Sequence, residues 1–238
     1  MEPGTDRRAP AQTYPDRPDW HVCHKTIYQA LYAPTTLIDH RPAVVGERTR
    51  IGDREGDLIV GRGNRSAIAT LVDRASRYLH LVHLPLNHGA EAVRDGLISL
   101  LGGIPEAGRL TLTWDQGSEM ALHNQIAPLL REGVFFAHPG SPWQRGTNEN
   151  TNGLLRQYFP KRTDLSVHTP ADLQAVEERL NHRPRKILRW QTPAEVFNLA
   201  LTSCTQSPLR RSRGSASGRI LTSPRDDHEA APTGDPHR

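Results

Sequence analysis

The amino-acid sequence predicts an α/β domain built on one mixed sheet, and three observations lead there. Strand-like runs follow one another between about residues 57 and 84, joined by turn-forming residues, the pattern of an antiparallel meander. From residue 90 the apolar period lengthens, and helix-like and strand-like runs then alternate, which calls for parallel pairing. Beyond about residue 146 the signals are helical only. A chain of 238 residues has room for one good-sized domain and smaller attachments.

Each element has its own warrant. Lys25–Tyr32 reads as a helix, with Ile27 and Leu31 four apart and Tyr28 and Tyr32 beside them. Ala33–Ile51 lacks periodicity and reads as a linker. Asp57–Val60, Ala67–Val72 and Tyr78–Leu84 are the meander strands, with turn chemistry at Gly61–Asn64 and Asp73–Arg77. Ala90–Leu101 places Val93, Leu97, Leu100 and Leu101 on one helical face, Gly96 notwithstanding. Leu110–Trp114 is a strand, Glu119–Leu130 a helix and Val134–Ala137 a strand. After the loop His138–Gly146, a helix is expected over about Asn148–Tyr158, stopped by Pro160. Thr169-Pro170 and Thr192-Pro193 each open a helix, Thr as N-cap and Pro at the first position; the second should end near Leu201. Three antiparallel strands, then βα alternation, then helices, is the order of a ribonuclease H-like domain.

The formal charge is +4 and the isoelectric point about 9.4, which suits a polyanionic partner. Arginine outweighs lysine, and guanidinium is the better fork for phosphate, although a GC-rich genome produces the same bias. Cys23 and Cys204 alone exclude a cysteine zinc cluster and argue against a disulfide framework. No apolar run is long enough to span a membrane and no signal-peptide core opens the chain, so a cytosolic protein is expected. Residues 1–20, rich in Pro and charge, and 202–238, rich in Ser, Pro, Gly and Arg, are expected to be disordered, since neither can bury enough apolar surface to offset its ordering entropy.

Three acids stand out by location. Asp57 opens the first strand in EGDLIVG, Asp115 follows the strand LTLTW, and Glu149 lies in the first turn of the helix after HPGSPWQRGTN. Groups outside the carboxyl ends of strands are well placed for chemistry in α/β sheets. Carboxylates are the ligands that hard divalent cations take, and two such ions can activate a water or a 3′-hydroxyl and stabilise a leaving oxygen. Singly, each acid also has a plain structural reading: Asp is common in turns and Glu favours a helix N-terminus. Asp53 and Glu55 compete for the first position, because side chains alternate along a strand and an early start would put all three acids on one face. Asp57 is preferred because the apolar strand begins right after it.

The runs TWDQGSEM, HPGSPWQRGTNENTNGLLRQYFPKRTDLS and LNHRPRKILRWQTPAEV together resemble the IS-thirty family of bacterial insertion-sequence transposases. EGDLIVGRGNRSAIATLVDRASRY resembles the segment around that family's first catalytic acid, and the 33 residues between Asp115 and Glu149 match the spacing of its second and third. The likeness covers about residues 52–200. It implies a ribonuclease H-like catalytic domain over 51–201, with Asp57, Asp115 and Glu149 as catalytic residues holding Mg²⁺ or Mn²⁺, two ions in number. The implied activity is cleavage of transposon-end DNA and strand transfer into target DNA, by an oligomer on DNA and with no covalent intermediate. Where the family usually carries Trp just before Glu-Gly-Asp, this chain has Arg54.

The same likeness makes 21–50 the end of a DNA-binding helical region plus linker, with Lys25 a contact and the partner helices of a helix-turn-helix missing, so the chain reads as N-terminally truncated. DNA contacts are expected from Arg145, from Asn152 and Arg156 on the face of Glu149, and from Lys161 and Arg162. Trp143 either stacks on a base or anchors its loop to the core. His80, His83 and His138 lack metal-ligand spacing. The rival reading is a catalytically silent remnant that at most binds DNA. A chain without its reading helices should grip phosphates and discriminate sequences poorly.

Overall fold

The computed structural model describes residues 36–206. The helix expected at Lys25–Tyr32, with Lys25 itself, and residues 1–20 and 207–238 of the ends expected to be disordered lie outside the described residues; residues 202–206 of the expected disordered tail are instead the end of the helix Pro193–Gln206.

Five strands form one sheet in the order β3-β2-β1-β4-β5. β1 (Asp53–Val60), β2 (Ala67–Asp73) and β3 (Leu79–Leu84) are the antiparallel meander. β4 (Thr111–Trp114) and β5 (Gly133–Phe136) run parallel to β1. The parallel neighbour β4 is reached through the helix α2 (Ala90–Gly102), the longer crossover that parallel pairing needs; a short helix α1 (Val44–Glu47) precedes β1.

Helices cover both faces. On one face Val93, Leu97 and Leu101 of α2 pack with Ala67, Ala69 and Leu71 of β2 and with Leu112, Trp114 and Phe136. On the other, Ile59, Ile68 and Val72 meet Leu155 of α4 (Gly146–Leu155) and Leu173 and Leu180 of α5 (Pro170–Asn181). Each fully buried Leu or Ile contributes about 1.5–3 kcal/mol. β2 therefore reads as an unbroken buried run, because a strand covered on both faces has no solvent side to alternate with. Gly96 fits here too: a Cβ at that position would lie 2.5 Å from Val82 Cγ1 of β3, so the missing side chain lets α2 approach the sheet.

Several boundaries differ from the sequence reading, for local reasons. β1 begins at Asp53, because the segment before Asp57 pairs with both β2 and β4. The helix expected over Glu119–Leu130 is instead a 3₁₀ turn (Ser118–Met120), a short α3 (His123–Ile126) and a second 3₁₀ turn (Ala127–Leu129). Leu122, at φ −99° and ψ 23°, leaves the helical region, and Pro128 removes a donor and crowds the preceding turn. The stretch read as a linker folds from Ile38 onward: Val45 is fully buried, and its carbonyl accepts from the Arg74 guanidinium at 3.1 Å.

Both Thr-Pro starts are real caps. Thr169 and Asp172 exchange hydrogen bonds in a capping box at the head of α5. Thr192 and Glu195 do the same for α6 (Pro193–Gln206), which runs past the expected end near Leu201. Arg54 is buried against α6, with its guanidinium 5.8 Å from the Phe197 ring centroid and donating to the Gly108 carbonyl.

Candidate functional site

Asp53, Glu55 and Asp57 do share one face of β1, the face that α4 crosses, and their surroundings separate them. Asp53 is fully buried; it accepts from Thr111 Oγ1 at 2.7 Å and from Arg50 Nε at 2.6 Å. Glu55 is fully buried as well, paired with the Arg74 guanidinium and accepting the Asn148 backbone N–H at 2.9 Å. Both are committed to holding the fold together. Asp57 is half-buried and faces the open end of the site. Its Oδ2 accepts from Asn152 Nδ2 at 3.0 Å and its Oδ1 from the Leu58 backbone N–H at 2.8 Å.

Asp115 follows directly on β4, the parallel neighbour of β1, so the two aspartates stand on adjacent strands. Trp114 sets this junction. Its ring lies over Gly56, where a Cβ would come within 2.0 Å of it, and its indole N–H donates to Glu119 Oε1 at 3.2 Å. Only glycine fits before Asp57 with that ring in place.

Arg145 bridges the pair. Its Nη1 is 3.5 Å from Asp57 Oδ1 and donates to the Gly56 carbonyl at 3.2 Å; its Nη2 is 3.2 Å from Asp115 Oδ2. Burial pushes the Asp57 carboxyl above its ordinary value, Arg145 opposes this, and the charge of Asp115 adds to it. Glu119, largely buried, is likewise pushed up, first by burial and then by Asp115 and Asp57. Among the described residues, two side-chain oxygens are buried without a hydrogen-bond partner, Asp115 Oδ1 and Asn152 Oδ1. Such oxygens beside two carboxylates suit a hard cation, which would replace the missing partners.

Glu149 is exposed in the first turn of α4 and makes no ion pair among the described residues. It sits three residues before Asn152, hence a neighbour on the helix surface. The beginning of α4 is fixed by Glu55 and by the Thr70 hydroxyl, which donates to Asn148 Oδ1 at 3.0 Å. Among the described residues no three His, Cys, Asp or Glu side chains gather closely enough to hold one metal ion. The structure thus brings Asp57, Asp115, Arg145 and Asn152 together and leaves Glu149 at their rim.

A basic groove of about 470 Å³ opens beside the end of β1, lined by Val60, Arg62, Arg156, Lys161 and Arg162. The Arg62 backbone N–H bonds the Thr163 carbonyl at 2.7 Å, which joins the two loops. Arg156 feels the charge of Asp57 and donates to the Phe159 carbonyl at 3.4 Å. Sequence reasoning did not single out Arg62, Asn148 or Glu119. Arg62 lies in a Gly-rich turn and Glu119 in the TWDQGSEM run, yet neither spacing says what it will face. Trp143 is 71% exposed, which excludes a role as core anchor. His80 meets Glu177 at 3.3 Å, His83 the Leu165 carbonyl at 3.1 Å, and His138 Asp39 at 2.6 Å.

A 3-2-1-4-5 mixed sheet with helices on both faces and aspartates on its two central parallel neighbours defines a ribonuclease H-like domain. Comparison with known proteins narrows this. The chain is 41% identical over 229 residues to the transposase for insertion sequence element IS1086 of Cupriavidus metallidurans, covering 82% of this chain and 67% of that one. It is 46% identical over 169 residues to transposase InsI for IS30A of Escherichia coli, covering 70% of this chain and 44% of that one. It is 41% identical over 162 residues to the transposase for IS4351 of Bacteroides fragilis, covering 67% and 48%. The chain belongs to the IS30 family of insertion-sequence transposases. It spans about half the length of several of these relatives. Among solved structures, the catalytic core domain of BIV integrase is similar at a TM-score of 0.48 and 19% identity, over 65% of this chain and 99% of that one. No protein-family model matches.

Proposed function

We propose that this chain cuts DNA at the ends of an insertion sequence and joins the freed 3′ end to target DNA, with Asp57, Asp115 and Glu149 as its catalytic carboxylates. The observation that carries this reading is the pairing of Asp57 and Asp115 on adjacent parallel strands around a buried, unpartnered Asp115 oxygen. Asp57, Asp115 and Glu149 would hold Mg²⁺ or Mn²⁺. When bound, two such ions polarise the scissile phosphate and lower the pKa of an attacking water or 3′-hydroxyl.

The remaining work falls to protein groups. Asn152 orients the Asp57 carboxylate through its amide. Arg145 neutralises the two aspartates before DNA arrives, and its planar fork can then turn to a phosphate. Arg62, Arg156, Lys161 and Arg162 offer the DNA backbone a row of cations leading to Asp57. The groove contacts are to phosphate, so they position DNA without reading its sequence. Two transposon ends must be brought together, which calls for an oligomer on DNA within the bacterial nucleoid.

The test is nicking of a duplex carrying the element's terminal repeat, with Mg²⁺ or Mn²⁺, by the chain and by its Asp115→Asn variant. Metal-dependent nicking that the substitution lowers by at least roughly a hundredfold supports the proposal. A chain that binds the duplex and never nicks it overturns the proposal in favour of a silent remnant.

A further inference from the structure

Between α5 and α6 the chain forms a closed loop whose chemistry the carboxylate site does not use. The Arg185 backbone N–H donates to the Gln191 carbonyl at 3.0 Å, and the Trp190 N–H donates to the Arg185 carbonyl at 3.0 Å. Arg185 Nη2 ties the loop back to the Leu180 carbonyl at 3.3 Å. The loop is thus a built shape with its ends pinned.

What it presents is basic and apolar together. Arg183, Lys186 and Arg189 are exposed and form no ion pair among the described residues. No acidic residue stands between Asn181 and Glu195. Ile187 is 68% and Trp190 70% exposed, so two large apolar side chains sit in water among three free cations. Arg189 and Trp190 are consecutive residues in the left-handed region, at φ 54° and 69°. A bulky non-glycine residue there is strained, and such strain persists where the surroundings impose it, most often at binding sites.

Position separates this loop from the cutting site. Gln191 lines a cavity with Arg50, Ile51, Ala107 and Leu110, at the N-terminal ends of β1 and β4. Asp115 follows the opposite, C-terminal end of β4. A strand rises about 3.3 Å per residue, so the two places lie on the order of a strand length apart.

We propose that the loop Arg183–Trp190 is a second contact for duplex DNA, independent of sequence and away from the phosphate that is cut. Arg183, Lys186 and Arg189 meet backbone phosphates, while Ile187 and Trp190 lie against sugars at the edge of a groove. Unpaired cations with no neighbouring acid complement a polyanion, whereas an apolar protein partner would need no such excess of charge. The proposal deepens the reading of this chain as acting on DNA and shares only that premise with it.

The experiment measures binding of a fluorescent random-sequence 30-bp duplex to the full chain by anisotropy, across a salt series. The chain is compared with the triple variant Arg183→Ala/Lys186→Ala/Arg189→Ala and with Trp190→Ala, each checked for native circular dichroism. Loss of three phosphate contacts should flatten the log–log salt slope by about 2.7, at about 0.9 per contact, and weaken binding at least roughly tenfold at low salt. Trp190→Ala should weaken binding several-fold, roughly, and leave the slope alone, since stacking and sugar contacts release no counterion. An unchanged slope and affinity in the triple variant overturns the proposal, as does a wild-type chain that binds no duplex. So does concentration-dependent self-association abolished by Trp190→Ala with DNA affinity intact, which makes the patch a protein interface. Nicking by a chain whose loop variants bind normally sinks the loop alone; loop-dependent binding by a chain that never nicks sinks the catalytic reading alone.

Discussion

Glu55 Oε2 accepts the backbone N–H of Asn148 at 2.9 Å, so the strand that carries Asp57 and the helix that carries Glu149 are joined by one buried hydrogen bond. The same carboxylate neutralises Arg74, whose side chain is 5% exposed. Removing one partner of a buried pair leaves the other charge uncompensated. Glu55→Gln keeps an acceptor for Asn148 and strands Arg74, and it should cost about 3–5 kcal/mol in urea unfolding. Asp57→Asn, at the rim of the same face, should abolish nicking at little cost in stability. Equal stability losses in the two variants would contradict this division of labour.

Gly56→Ala should be severe for so small a change. The added methyl would meet the Trp114 ring at 2.0 Å, and that ring is walled in by the core. Overpacking of this kind costs about 1–3 kcal/mol. A lowered urea midpoint with a shifted tryptophan emission is expected; wild-type values for both would show that β1 and Trp114 separate easily.

Arg54→Met should stabilise the fold by at least about 1 kcal/mol. The guanidinium is fully buried, and its Nε and Nη2 have no hydrogen-bond partner, so its desolvation exceeds what the charges of Asp73 and Asp53, the Phe197 ring and the Gly108 carbonyl return. A drop in thermal midpoint would mean that these attractions outweigh the cost of burying the charge.

Arg145→Ala should raise affinity for Mn²⁺ measured without DNA, because the guanidinium occupies the gap between the aspartates. Two unit charges 4 Å apart interact by about 4 kcal/mol at an effective dielectric near 20, so a tenfold gain, about 1.4 kcal/mol, is a conservative expectation. The readout is electron paramagnetic resonance of free Mn²⁺. Weaker binding by the variant would give Arg145 a supporting role at the metal site.

Glu119→Gln should change how stability depends on pH. Burial holds the Glu119 carboxyl above its ordinary value, so the folded state keeps this proton to higher pH than the unfolded chain does. The stability this contributes is fully present below the unfolded value and is lost as pH rises through the folded value. Gln can still accept from the Trp114 indole and carries no charge. Its stability relative to wild type should therefore rise as pH climbs above the ordinary glutamate range, in paired denaturation curves. A constant difference would place the Glu119 proton outside this balance.

Much was legible in the amino-acid order because it is local physics. Apolar runs mark β1 to β5, the Thr169 and Thr192 capping residues start their helices, and Asp115 sits where a strand ends. The motif runs carry the family, which the relatives bear out. How Asp53, Glu55 and Asp57 differ in burial and partners belongs to tertiary structure. Period-2 alternation puts all three on one face, and only partners from distant segments divide them: Thr111 binds the buried Asp53, Asn148 the buried Glu55, and Asn152 an Asp57 that stays half-buried. That Arg145 bridges two aspartates shows only once its loop folds back over Gly56, and Arg62 reads as a turn residue until it meets Arg156 and Lys161 in one groove. The physical reason is range. Backbone preference acts over a few neighbouring residues, whereas a carboxylate's role depends on which charges and donors the fold brings within about 4 Å.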